Sequence, residues 1–203
     1  MNVKTAIETG DAEALERLLA EDPARANELI RWGKNDRICT HPLHYVSDML
    51  FERTLAKGRE LGLVAALIRA GADLDFQKEG KGDTPLIGAA SLYAEDIGLA
   101  LLDAGARVDP RGLFGETALH WAAMLGEDRL VARLIEKGAD VHLPDDKYKS
   151  TPLGWAIHGS SDPKGNQGNH REVVKLLVAA GARVEARMLE CVDPEMLAAL
   201  EGR

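Results

Sequence analysis

Cys39, His41, His44 and Asp48 fall within one ten-residue stretch, and all four are residue types that can ligate a metal ion. Their spacing matches no zinc pattern, no second Cys/His pair follows, and His41-Pro42 reads as a helix start instead. Ser47 and Ser91 have no base or orienting acid beside them, so no nucleophile, base and oxyanion hole assemble. The glycines mark turns and helix ends and build no phosphate loop. The reading is therefore no catalytic residue, no metal and no cofactor. What the chain does carry is binding chemistry. Tyr45, Trp121 and Trp155 are each followed one helical turn later by Asp48, Met124 and His158, and Phe114 and Tyr148 stand in intervening segments. Large rings with a thioether nearby are the usual makings of a binding hot spot.

These residues sit on a beat. Thr84-Pro85-Leu86, Thr117-Ala118-Leu119 and Thr151-Pro152-Leu153 are 33 and 34 residues apart, and Gly71-Ala72, Gly105-Ala106, Gly138-Ala139 and Gly181-Ala182 follow the same beat, the last delayed by nine residues. Such a period marks a stack of helix pairs. Within each unit Thr caps a first helix and Pro suits its first turn. A second helix carries an apolar stripe, as in Leu130, Val131, Leu134 and Ile135, and Gly138 closes it. One unit cannot bury its stripe alone, so neighbours bury it jointly.

In chain order, residues 3–36 read as an opening helix pair with a long link containing Trp32, expected as a hairpin or loop. A second unit spans 40–77 with His41 in the Thr slot and nine extra residues at 51–59. Units at 84–116 and 117–150 are regular. The fifth, 151–185, carries an equal insertion at 160–168, and residues 186–203 close the array, with Asp193-Pro194 opening a last helix. Aligned on the Thr slot, positions two, five and six residues on share one packed face. Positions four and seven residues on lie opposite, which predicts an open row of Tyr45/Asp48, Gly88/Ser91, Trp121/Met124 and Trp155/His158. The two tryptophans are expected about 8–10 Å apart, the spacing of packed helices. The two insertions are expected to stand as lips beside this row.

Thr117-Ala-Leu-His120-Trp-Ala-Ala and Lys137-Gly-Ala-Asp-Val141, with the Thr-Pro-Leu starts at 84 and 151, resemble ankyrin repeats from about residue 5 to about residue 190. The resemblance implies an all-α solenoid of helix-turn-helix units with short hairpin fingers, about five repeats plus a C-terminal cap. It also implies that His44 and His120 bridge the cap to neighbouring backbone. Proteins of this family mostly bind other proteins through a concave face of first helices and fingers. The expectation is thus a non-catalytic protein-interaction module. Tyr45, Trp121 and Trp155 would anchor a protein or peptide, Asp48, Met124 and His158 would tune specificity, and Phe114 and Tyr148 would add finger contacts. The rival is a small-ligand or metal-dependent site, receptor or enzyme, between the two inserted loops.

Of 203 residues, 33 are acidic and 25 basic, leaving a net charge of −8. That balance argues against nucleic acid, which demands a basic footprint, and favours a basic partner. Two cysteines near opposite ends suit a reducing compartment, and no apolar run reaches membrane-spanning length. A cytoplasmic protein, more readily monomeric than homo-oligomeric and without membrane contact, is expected.

Overall fold

A computed structural model describes residues 1–161, 168–189, 192 and 194–201. Apart from one two-stranded hairpin and short 3-10 turns, regular structure among these residues is α-helical. The fold is all-α, as the repeat period requires. The chain forms two compact units, one of residues 1–80 with 84–107, the other of residues 81–83 with 108–203.

In the first unit α1 (Val3–Thr9), α3 (Pro42–Phe51) and α5 (Pro85–Ser91) pack in sequence as one layer. The second helices, α2 (Ala12–Glu21), α4 (Glu60–Arg69) and α6 (Glu95–Asp103), make the other. Local chemistry sets the ends. The side chain of Asn2 accepts the Thr5 N–H at 2.9 Å, and Gly10 closes α1 at φ +67°. Leu15, Leu63, Leu67, Ile97 and Leu101 are fully buried where the second helices face the first. Each contributes about 1.5–3 kcal/mol through burial.

The link around Trp32, expected as a hairpin or loop, is a hairpin, with β1 (Ile30–Trp32) antiparallel to β2 (Ile38–Thr40) and Ile30 opposite Thr40. His41 performs the capping that Thr84 performs in α5. Its Nδ1 accepts the Leu43 N–H at 3.3 Å, while Thr84 Oγ1 accepts the Ile87 N–H at 3.3 Å. The other ring nitrogen of His41 donates to Asn27 Oδ1 at 3.0 Å, and that oxygen also accepts the Asp73 N–H at 2.7 Å. Phe76 stacks on the His41 ring at 4.8 Å. The insertion at 51–59 runs as turns that bury Leu55 and leave Phe51 54 % exposed.

In the second unit α7 (Ala118–Leu125) packs on α9 (Pro152–Ser160), and α8 (Asp128–Glu136) on α10 (His170–Ala179). The last helices are α11 (Ala186–Leu189) and α12 (Pro194–Leu200), and α12 packs on α10. Leu119, Leu130, Leu134, Leu153, Val173 and Leu177 make the core, each 0 % exposed. Gly159 lets α9 approach α7, since a Cβ there would stand 1.9 Å from the Met124 carbonyl oxygen. In this unit the finger before each first helix turns on a left-handed residue two positions ahead of the Thr. Gly115 fills it before α7 at φ +76° and Lys149 before α9 at φ +53°. Most of the expected 160–168 loop, residues 162–167, and Asp193 lie outside the described residues.

Candidate functional site

The second unit holds a cavity of about 590 Å³, within the usual range of ligand sites. α7 supplies Trp121 and Met124, α9 supplies Trp155, Ile157 and His158, the finger before α9 supplies Tyr148 and Ser150, and α11 supplies Met188. Ring carbons and thioethers dominate its wall.

Trp155 forms the floor and is only 8 % exposed. Three rings meet it edge to face: Trp121 at 5.1 Å, His120 at 5.4 Å and Tyr148 at 6.2 Å between centroids. Such contacts favour a fixed ring arrangement over a loose one. The Trp155 indole N–H donates to Asp145 Oδ2 at 3.0 Å, and the Trp121 indole N–H donates to Glu116 Oε1 at 3.3 Å.

Asp145 is 0 % exposed, yet four donors converge on it. The Lys147 and Tyr148 N–H groups reach Oδ1, and the Ser150 N–H and the Trp155 indole reach Oδ2. Burial pushes the Asp145 pKa up, but the donors, Tyr148 N–H and the Trp155 indole foremost, outweigh it and leave the carboxyl below its ordinary value. Asp145 is thus held as an anion inside the finger. His120 Nδ1 accepts the Thr117 N–H at 3.1 Å and Nε2 donates to the Ser150 carbonyl at 3.3 Å, which fixes its tautomer. Burial lowers its pKa. His120 therefore bridges cap and finger, as its place after the Thr slot implies.

At the finger tips Phe114 is 45 % exposed and Tyr148 is 63 % exposed. The Lys147 ammonium lies over both rings, 4.4 and 4.9 Å from their centroids. Arg111 donates to the Pro144 carbonyl at 2.9 Å and pairs with Asp146 at 3.2 Å. These contacts pin one finger to the next.

Of the eight expected binding residues, the cavity gathers Trp121, Met124, Tyr148, Trp155 and His158, and Phe114 joins them through Lys147. The open row needs correction. Tyr45 belongs to the first unit and is 1 % exposed: Trp32 of the hairpin packs against it at 5.5 Å, and its hydroxyl donates to Glu8 at 2.6 Å. Burial and that bond to Glu8 raise its pKa. Tyr45 is a core residue, not an open anchor. Asp48 is half-buried on the same helix, with a pKa raised to about 6 by burial and by the neighbouring Glu52. Trp121 and Trp155 stand far closer than helix spacing implied, because their rings lean together. A helix has two flanks besides its packed face, and neighbouring first helices and fingers cover them. Counting 100° steps on one helix misses that cover, so slot four is buried at Tyr45, Gly88 and Trp155 and half-buried at Trp121, while slot seven is more open.

Glu116, Ile157, Asp145 and Met188 were not anticipated as parts of this site. Met188 lies beyond the last full repeat, where no period points to it. Asp145 and Glu116 had a faint signal, acids set beside finger aromatics. Among the described residues no cluster of His, Cys, Asp or Glu could hold a metal ion.

The family described as "Ankyrin repeats (3 copies)" matches residues 54–145 and again 99–188. The chain is 34 % identical over 143 residues to a neurogenic locus notch homolog protein 1 of Xenopus tropicalis, covering 70 % of this chain and 5 % of that one. It is 35 % identical over 91 residues to an E3 ubiquitin-protein ligase of Arabidopsis thaliana, covering 45 % and 6 %. Against the human ankyrin repeat, SAM and basic leucine zipper domain-containing protein 1 it is 29 % identical over 129 residues, covering 64 % and 25 %. The chain spans a quarter or less of the length of these relatives.

Proposed function

Since the chain belongs to the ankyrin-repeat family, whose repeats generally serve as protein–protein interaction modules, we propose that it binds a protein or peptide partner through the aromatic cavity of its second unit. The observation that carries this reading is the convergence of Trp121, Met124, Tyr148, Trp155 and His158 on one concavity. Trp121, Met124 and Tyr148 are the accessible contacts. Trp155 is the floor that shapes them, and His158 is exposed at the rim. Phe114 extends the contact along the finger tips. The role proposed is binding without catalysis, in keeping with a repeat family that is generally non-catalytic.

The net charge of −8 favours basic partners at long range. The finger beside the cavity carries both signs, with Lys147 and Lys149, and Arg111 of the preceding finger, against the exposed Asp146 and the buried Asp145. We assign the basic preference to approach and not to contact. Among the described residues no helix is long and apolar enough to cross a membrane. A cytoplasmic, monomeric protein without nucleic-acid contact completes the proposal, to be checked by cell fractionation and sizing chromatography.

The test is affinity capture from the native lysate with wild type, Trp121→Ala and Met124→Ala side by side. The partner recovered by wild type should be lost with both variants while far-UV circular dichroism stays unchanged. Equal recovery by folded variants would refute the assignment. A small ligand in the same cavity is the second reading, because 590 Å³ also suits a metabolite. A large thermal shift with one metabolite, abolished by Trp121→Ala, would favour it.

A further inference from the structure

Two buried carboxylates of the second unit do the same job one repeat apart. Glu116, 1 % exposed, takes the Trp121 indole N–H on Oε1 at 3.3 Å and the backbone N–H of Phe114 on Oε2 at 2.8 Å. Asp145, 0 % exposed, takes the Trp155 indole N–H on Oδ2 at 3.0 Å and the backbone N–H of Tyr148 on Oδ1. Each acid thus clasps a first-helix tryptophan with one oxygen and the backbone of a finger aromatic with the other. Glu116 immediately precedes the Thr slot, whereas Asp145 lies six residues ahead of Thr151. The two clasps therefore reach one arrangement from different places in the unit, which helix capping alone does not demand.

The geometry points to Glu116 and Asp145 as positioning residues of the binding cavity, each locking an indole and its finger so that ring faces, and not indole N–H groups, wall the site. This inference rests on the binding role proposed for that cavity. Two physical effects support it. A hydrogen bond to an ionised carboxylate is stronger than one between neutral groups, and at Trp155 burial also denies the indole N–H competing water. The rings are then ordered before a partner arrives, so a partner need not supply the entropy cost of ordering them. The indole faces then offer a partner apolar ring surface, and the polar contacts left to it are those of Tyr148, Ser150, His158 and Ser161.

The test is hydrogen exchange and nuclear Overhauser spectroscopy on the full chain, resolved at the indole Nε1–H signals, for wild type, Asp145→Asn and Glu116→Gln. Wild type should show slow solvent exchange at Trp121 and Trp155. Asp145→Asn should speed exchange at Trp155 by at least about tenfold, the worth of one charged hydrogen bond. It should also remove the Tyr148–Trp155 ring cross-peaks, with helicity and Trp121 unchanged. Glu116→Gln should do the same at Trp121 and leave Trp155 alone. A Trp155 indole proton exchanging in wild type as fast as free indole would overturn the inference. So would a folded Asp145→Asn protein with slow exchange and intact cross-peaks. If Asp145→Asn fails to fold, the wild-type rates and the Glu116→Gln comparison decide. No partner enters this experiment, so its failure leaves the binding role standing, and loss of the binding role leaves the clasps standing.

Discussion

Replacing His41 with Thr should change how the first unit responds to acid. His41 is 0 % exposed, and burial, with the neighbouring His44, lowers its pKa to about 4 against an opposing pull from Asp73. Its neutral ring is the form the fold uses, accepting the Leu43 N–H on Nδ1 and donating to Asn27 from Nε2. A histidine with a depressed folded-state pKa contributes stability that is present above its unfolded value of about 6.5 and lost as pH falls towards the folded one. A gap of about 2.5 pH units at 1.36 kcal/mol each, corrected for half-protonation at pH 4, gives a loss of about 3 kcal/mol between pH 7 and pH 4.

Asp48 acts in the opposite sense. Its pKa is raised to about 6, so between that value and its ordinary one the folded chain binds the extra proton and gains stability as pH falls. The two effects offset each other in wild type. The informative quantity is therefore the difference in unfolding free energy between His41→Thr and wild type, from urea melts at pH 7, 6 and 4. Thr keeps a cap but loses the Asn27 bond and the Phe76 stack, a constant cost at every pH. On top of it the variant should gain about 3 kcal/mol relative to wild type on going from pH 7 to pH 4. A difference independent of pH would refute the claim that His41 is buried in its neutral form.

Further outcomes concern the second unit. Leu134→Ala and Leu177→Ala, both at sites with no exposure, should each cost about 2–5 kcal/mol in chemical denaturation. Gly159→Ala should cost at least about 2 kcal/mol, because the new methyl meets the Met124 carbonyl and backbone must move. Lys149→Gly should raise stability by about 0.5–1 kcal/mol by relieving a left-handed side-chain residue where Gly115 serves the preceding finger. Trp155→Ala should destabilise the unit by about 3–5 kcal/mol in addition to any loss of binding. Trp121→Ala, at a half-buried position, is the cleaner probe of function.

The repeat beat made the fold legible. Thr84, Thr117 and Thr151 mark helix starts, Gly10 and Gly126 close helices in the left-handed conformation, and the leucine stripes are the core. The hairpin around Trp32 was legible as an interruption of that beat. The site was legible in part. Trp121, Met124, Trp155 and His158 follow from register along the first helices, and Tyr148 from its place in a finger. Tyr45 shared the register but not the surroundings, because the Trp32 hairpin, the one strand pair among the described residues, covers it. Neither that cover nor the clasp of Asp145 on a tryptophan ten residues later repeats with the period. The clasp recurs at Glu116 and Trp121, but from five residues away instead of ten, so the spacing leaves no periodic trace.

The most direct test of the central claim is site-specific photo-cross-linking in the native lysate. p-Benzoylphenylalanine would replace Tyr148 at the cavity mouth in one protein and the exposed Arg129 on α8 in another. Position 148 should give a discrete partner adduct, suppressed when Trp121→Ala is added, and position 129 none. An adduct at 129 alone, or one at 148 that survives Trp121→Ala, would contradict that claim.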